Sequence, residues 1–252
     1  MKISIITVTL NEAEALRHSL ASVAAQGYPD LEHIVVDGHS TDNTASVVAE
    51  FPGVKFAQLE PNGTYDALNY GFILCSGDIL GFIHGNDAMA HGKVLNTIAK
   101  EFEADPDLDF IYGDMRYVKP VTYKHVRIYY AGKFKPSNLL GGIAPAHPTL
   151  YIRRRVWEKI GKYRLDFPKA ADFEMWIRLF KDKSLKYKYL PLVIAEMTTG
   201  GRSTMWSARL LTNNIEKWKA LKLNGMPANP FRLIAKYIYV LRNLISAPNY
   251  ER

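Results

Sequence analysis

The sequence predicts an α/β fold with a mostly parallel central sheet and helices on both faces. Three observations carry this expectation. Strand-like and helix-like stretches alternate through the first 114 residues, and the connections between them are short. The opening stretch "KISIITVTL", residues 2–10, is β-branched and almost continuously apolar, as a strand covered on both faces must be. Alternation of this kind builds βαβ units, whose crossovers place helices on the two faces of a parallel sheet.

Taken in order, residues 12–26 place Ala13, Leu16, Leu20 and Val23 near helical spacing. "LEHIVVD" is a second strand ending at Asp37, and "STDNTASVVAEF" joins helix-start chemistry to an apolar face. "VKFAQLE" is a third strand, "TYDALNYGFILC" a helix and "GDILGFIHG" a fourth strand that leads into Asn86 and Asp87. "GKVLNTIAKEFEADP" is a helix stopped by Pro106, and "LDFIYGD" is a fifth strand. From about residue 115 the chain turns basic and aromatic, broken by Pro and Gly, which suits short strands and long loops. "RRVWEKIGKY" and "AADFEMWIRLFKD" read as helices, the second with Phe173, Trp176, Ile177 and Phe180 on one face.

The 252 residues suit one large domain or one domain with an appendage, and the 48% hydrophobic share leaves ample material for a core. A net charge of +7 admits nucleotide phosphates, nucleic acid or an anionic membrane as partners. Cys75 is the sole cysteine, so no disulfide or cysteine-based metal site forms within one chain. The N-terminal apolar run meets Asn11, Glu12 and Glu14 too early for a signal peptide, and no run is long enough to span a bilayer. A soluble, cytoplasmic protein is expected.

In an open α/β sheet, ligands bind beyond the carboxyl ends of the strands. The polar residues there are Asn11 and Glu12, Asp37 to Ser40, Glu60 to Asn62, and Asn86 with Asp87. Each group also suits a turn or a helix cap. Four groups on one edge ask for more than turns. The first strand is followed by Thr9-Leu10-Asn11-Glu12 and not by G-x-G-x-x-G, and Gly92-Lys93-Val94 does not complete a phosphate-binding loop. A divalent cation on oxygen ligands is then the remaining device for a diphosphate, with Asp87 as the candidate ligand.

"ISIITVTLNEAEALRHSLASVAAQGYPDLEHIVVDGHSTDNT", "PNGTYDALNYGFILCSGDILGFIHGNDAM" and "HPTLYIRRRVWEKIGKYRLDFPKAADFEMWIRLF" follow one another in a familiar order. Together they resemble the family 2 glycosyltransferases, with the GT-A fold, and "TTGGRST" resembles a Gly-Gly-x-Ser segment of one branch. The resemblance covers residues 1 to about 205. It implies an inverting transfer of a sugar from a nucleoside diphosphate, UDP favoured, to a hydroxyl of a surface glycan or lipid-linked glycan, with Mg²⁺ or Mn²⁺. It implies a nucleotide-sugar half at 1–114, an acceptor half at 115–205 and a helical tail at 206–252.

Carried over position by position, the resemblance gives Asp87 the metal and Asp172 the acceptor proton. Asn86 stands where the family commonly has a first acid, so one negative charge is missing. Thr9, Asn11, Glu12, Asp37, Ser40, Asp66, Asn69 and Asn86 fall on the donor side. His147 and Arg202 are assigned to the diphosphate or acceptor side, with Glu174 as the reserve base. Local alternatives stand beside these. Asp172 suits an N-cap, Glu12 a helix start, Asp66 and Asn69 a solvated helix face, and His147 a structural histidine.

"FRLIAKYIYVLRNLI", residues 231–245, mixes apolar and basic residues and suits either an anionic bilayer surface or a core helix. Two other classes compete with the main reading. A nucleotidyltransferase would carry a Gly-rich basic loop after the first strand, which is absent. A nucleic-acid or membrane module could use the basic aromatic segment 115–155, but no RNA-binding motif accompanies it.

Overall fold

The computed structural model describes residues 1–199 and 208–234. The elements are β1 (Ile3–Thr9), α1 (Ala13–Ala24), β2 (Leu31–Asp37), α2 (Thr44–Ala49), β3 (Lys55–Gln58), α3 (Thr64–Leu74), β4 (Ile79–His84) and β5 (Asp87–Met89). They continue as α4 (Val94–Ala104), β6 (Phe110–Val118), β7 (His125–Tyr129), β8 (Tyr151–Arg153), α5 (Arg154–Ile160), α6 (Ala171–Lys181), β9 (Tyr187–Thr198) and α7 (Ala208–Leu223).

The strands form one sheet in the order β3-β2-β1-β4-β8-β6-β9-β5, with β7 paired to β6. The long pairings, β1 with β2, β1 with β4 and β6 with β9, are parallel, whereas β8, β5 and β7 join antiparallel. The expected parallel α/β core is present, extended by short antiparallel pieces.

Alternation along β1 explains the two-sided burial. Ile3 and Ile5 pack with α4 through Leu95, Ile98 and Phe102. Ile6 and Val8 belong to the opposite layer, which includes Leu68, Phe72, Phe173, Trp176 and Phe180. A strand buried on both faces keeps no polar side for solvent, hence the continuous apolar run. Helix α3 comes very close to β1 at Gly71, where an added Cβ would stand 2.4 Å from Ile6 Cγ2.

Three sequence expectations change. Asp87 does not end the fourth strand. Gly85 and Asn86 turn the chain, and Asp87 opens β5, which pairs with the far strand β9 at Met197. The fifth predicted strand runs on to Val118, so β6 crosses the 114/115 boundary and belongs to both halves. Strand β9 has no counterpart among the sequence expectations. Its Pro191 lies where the register with β6 slips, Leu190 pairing with Gly113 and Val193 with Asp114, so the proline is accommodated in a bulge.

The tail begins in the described region. Leu233 is buried in the core layer while Phe231 and Ile234 are exposed. Residues 235–245 and Arg202 lie outside the described residues. No helix among the described residues is long and apolar enough to cross a membrane.

Candidate active site

The parallel register sets one row of residues along the carboxyl edge of the sheet. Thr9 stands beside Asp37, and Asp37 beside Gln58. On the other side of β1, His84 stands beside Val8, and the Gly85 N–H donates to the Val8 carbonyl. The edge therefore collects Asp37, Thr9 and the β4–β5 turn, as the fold class requires.

Asp37 is buried and organises the loop after β2. Its carboxylate accepts bonds from the Ser40 N–H at 2.9 Å, from the Ser40 hydroxyl, and from Gln58 Nε2 at 3.1 Å. Asn11 has a left-handed backbone (φ 54°), and its Oδ1 accepts from the Thr41 N–H at 2.8 Å. The Ser40 Oγ in turn accepts from the Asn11 N–H at 2.8 Å. Asp42 caps the helix starts on both sides of this loop. It accepts from the Ala13 N–H at the start of α1 and from the Thr44 N–H at the start of α2, each at 3.0 Å. Asp37, Ser40 and Asn11 form a preset loop beside the strand ends.

Asp87 is the least satisfied group on this edge. It is buried, and neither carboxylate oxygen has a hydrogen-bond partner. Burial pushes its pKa up to about 8, with the nearby charge of Glu12 adding to the rise and the Thr198 backbone N–H acting in the opposite direction without closing a bond. A buried, unpartnered carboxylate costs free energy in the isolated protein, which suits a group that meets a cation. The Thr9 hydroxyl close by is also buried without a partner. Asn86 is half-buried and offers its backbone carbonyl to the Thr198 hydroxyl at 3.2 Å. No cluster of three or more His, Cys, Asp or Glu able to hold a metal occurs among the described residues. A divalent cation at Asp87 would therefore draw most of its oxygens from a bound ligand and water, as Mg²⁺ commonly does.

Asp172 lies in the first turn of α6 and is half-buried. Its side chain forms no N-cap bond, so the capping alternative does not account for it. Instead the Tyr65 hydroxyl, from α3, donates to Asp172 Oδ1 at 3.0 Å. Tyr65 keeps its proton, because burial first, and then the charge of Asp172, hold its pKa well above the usual range. Burial lowers the pKa of His84, and that of His147 to about 4, while the charge of Asp172 opposes both shifts. His84 and His147 are near each other, with ring centroids 5.9 Å apart. His147 stacks on Phe82 and shares a 2.5 Å hydrogen bond with the Tyr163 hydroxyl. The structure thus brings Tyr65, His84, His147, Tyr163 and Asp172 into one neighbourhood at the end of β4.

Two candidates are corrected. Glu174 is buried, ion-paired to Arg178 at 2.8 Å and bonded to Asn224, while Arg178 holds the carbonyls of Ile160, Gly161 and Lys162. Its charge is spent on joining α6 to the end of α5, so it does not serve as a reserve base. Asn69 is buried and clamps the backbone of Tyr163, donating to its carbonyl and accepting from its N–H, both at 2.9 Å. It supports the site from behind instead of lining the donor space. Asp66, one residue beyond Tyr65, is half-buried and makes no hydrogen bond or ion pair with a described residue. Tyr65 and Tyr163 are not among the residues the sequence singles out. The signal available was an aromatic residue one turn before Asn69, which says nothing of a partner 107 positions away.

Comparison with known proteins finds both related sequences and similar folds. The sequence profile described as Glycosyl transferase family 2 matches residues 4–180. A "PGL/p-HBAD biosynthesis glycosyltransferase" of Mycobacterium bovis (strain BCG / Pasteur 1173P2) is 30% identical over 203 residues, covering 79% of this chain and 77% of the relative. Among solved structures, S. aureus TarS 1-349 in complex with UDP-GlcNAc aligns with a TM-score of 0.65 at 19% identity, over 89% of this chain and 65% of that one. Mannosyltransferase PcManGT from Pyrobaculum calidifontis, in complex with GDP-Man and Mn²⁺, aligns with a TM-score of 0.62 at 20% identity, over 94% and 69%. At these identities the two structures speak for the fold.

Proposed function

The chain belongs to glycosyl transferase family 2, and on that premise we propose that it moves a sugar from a nucleoside diphosphate to an acceptor hydroxyl with inversion, Asp172 acting as base and Asp87 holding a divalent cation. The observation that carries the reading is Asp87, a buried carboxylate with both oxygens unpartnered at the sheet edge where a diphosphate would sit. Asn11, Asp37 and Ser40 receive the nucleoside, with UDP the favoured donor. The UDP-GlcNAc and GDP-Man named in the two neighbours support a nucleotide sugar in general. Thr9, Glu12, Asp66 and Asn86 border the same space. The acceptor is a glycan or lipid-linked glycan, and the work is done at the cytoplasmic face of a membrane. The mycobacterial relative is named a biosynthesis glycosyltransferase, which supports an assembly role of this kind.

In the reaction, Asp172 accepts the proton of the acceptor hydroxyl while that oxygen bonds to C1 of the sugar. The bond from C1 to the diphosphate breaks, and its electron pair leaves with the diphosphate. Tyr65 holds Asp172 towards the acceptor, and Asn69 and Tyr163 fix the wall behind it. A bound Mg²⁺ or Mn²⁺ would supply charge neutralisation for the leaving diphosphate. The missing acid at Asn86 leaves Asp87 as the single protein carboxylate for that ion.

A thermal-shift titration tests the metal role. Mn²⁺ together with a UDP-sugar is expected to raise the melting temperature of the wild type and to leave Asp87→Asn unmoved. Asp87→Asn is expected to melt no lower than the wild type when both are metal-free, because the substitution removes a buried carboxylate without a partner. A variant that retains the full Mn²⁺-dependent shift and normal turnover would refute the assignment of Asp87.

A further inference from the structure

From Met115 to Trp157 the chain contains no Asp or Glu, while Lys and Arg recur throughout. The hairpin of β6 and β7 carries the first part of this run outward. Its neck is closed by the Lys119 N–H donating to the Lys124 carbonyl at 2.8 Å, so these two residues stand side by side. Arg127 lies across from Tyr117 in the next register position. Lys119, Lys124 and Arg127 form no ion pair with any described residue, whereas Arg116 at the base is neutralised by Glu196 at 2.8 Å.

At the apex, the Thr122 N–H donates to the Pro120 carbonyl at 2.7 Å, closing a three-residue turn on Val121. Val121 has φ 66° and is 88% exposed. A β-branched residue in the left-handed region is strained, and Gly would hold the turn at lower cost. Val126, on β7, is also exposed. The rings of Tyr117 and Tyr123 are already covered, whereas Tyr130, just past β7 at the base of the hairpin, is exposed. Tyr123 stacks on His18 of α1 with centroids 3.8 Å apart, and Arg127 lies over the Tyr117 ring at 4.4 Å. What the outer part of the hairpin offers to solvent is therefore aliphatic and cationic. A binder of single-stranded nucleic acid would instead leave ring faces open for bases. An apolar tip collared by unpaired lysines matches the boundary of an anionic bilayer, where headgroups meet the cations and the tip enters the acyl edge. The Tyr123–His18 stack braces the tip against α1, which begins just after Glu12 on the donor side.

We infer that the β6–β7 hairpin docks this protein on an anionic lipid surface through Val121, Lys119, Lys124 and Arg127. The inference deepens the membrane-side part of the proposed function by assigning the surface that meets the bilayer. Docking here sets α1 and the neighbouring donor edge close to the headgroups.

The test is co-sedimentation of the full chain with vesicles of phosphatidylglycerol and phosphatidylcholine, and with phosphatidylcholine alone. The wild type is expected to bind the anionic vesicles only, and to be released at ~1 M salt, where screening lengths fall to ~3 Å. Lys119→Glu with Lys124→Glu is expected to weaken binding by roughly tenfold or more. Val121→Gly is expected to weaken binding while the melting temperature stays level or rises, which separates docking from folding. All variants should keep the wild-type rate of nucleotide-sugar hydrolysis, so loss of docking is read apart from loss of the proposed activity. Unchanged vesicle binding in the double charge reversal would overturn the inference, and so would wild-type protein that ignores anionic vesicles or binds neutral ones equally well.

Discussion

Tyr65 shows what one residue contributes. Its hydroxyl donates to Asp172, reaching it from α3 across the site. Hydrogen bonds to charged groups are worth about 1.5–3 kcal/mol. Tyr65→Phe is expected to lower turnover by on the order of tenfold while leaving donor affinity near normal. In an Asp172→Asn background the same substitution should cost nothing more, because the two residues act as one unit. Rate measurements on the two single variants and the double variant check this, and an equal loss in both backgrounds would show that Tyr65 acts elsewhere. At this scale the sequence was legible for position, as with Asp37 at the end of β2 and Asp87 just past the apolar β4. It was not legible where the partner decides the role. Asp172 and Glu174 are two acids on one helix, and only packing reveals that Arg178 occupies one of them. Asn69 reads as a polar helix residue until Tyr163 is seen in its grip.

The elements were legible in proportion to their periodicity. Helix α6 places Phe173, Trp176, Ile177 and Phe180 in the core layer as its spacing implied. Strand β1 reads as buried because both of its faces are covered. Strand β9 carries Pro191, and strand β5 is only three residues long, so neither offers a period to detect. Yet β5 is the element that carries Asp87, and β9 is the strand that holds β5. Contacts between elements also fix composition at single positions. The approach of α3 to β1 at Gly71 leaves no room for a methyl group, which would meet Ile6 Cγ2 at 2.4 Å. Gly71→Ala is expected to destabilise the fold by about 1–3 kcal/mol through overpacking, despite the better helix propensity of Ala. Denaturant unfolding measures this, and a gain in stability would mean that α3 shifts freely on the sheet. Since α3 also bears Tyr65, the same variant should lower turnover.

For the molecule as a whole, the buried titratable groups set the response to pH. Burial lowers His33 and His147 to about 4 from an ordinary 6.5. Such groups bind protons in the unfolded chain before they do so in the folded one. Their neutral burial costs nothing above pH ~6.5, and stability is lost as pH falls from there towards ~4, by at most about 1.4 kcal/mol per unit for each group. Asp87, raised to about 8 from 3.8, acts in the opposite sense. The folded protein keeps that proton where the unfolded chain has lost it, so a penalty grows as pH rises from ~4 and levels off above ~8. Below pH ~6.5 the two histidines outweigh the one aspartate and above it the aspartate acts alone, so metal-free protein is expected to be most stable near pH ~6 to 7, and a divalent cation should raise the melting temperature more at pH ~8 than at ~6. Melting curves with and without Mn²⁺ over this range check both signs, and metal-free stability that keeps rising from pH ~6 to ~8 would contradict the buried carboxylate.

The central claim is that Asp172 takes the acceptor proton while a separate group, Asp87, serves the diphosphate. Its most direct test is turnover of Asp172→Asn measured on the same preparation as UDP-sugar affinity. Asn preserves the shape of the side chain and can still accept the bond from Tyr65, but it cannot act as a base. The expected result is a fall in turnover of roughly 10²- to 10⁴-fold, with donor affinity and melting temperature close to wild type. Near-normal turnover with intact donor affinity would contradict the account.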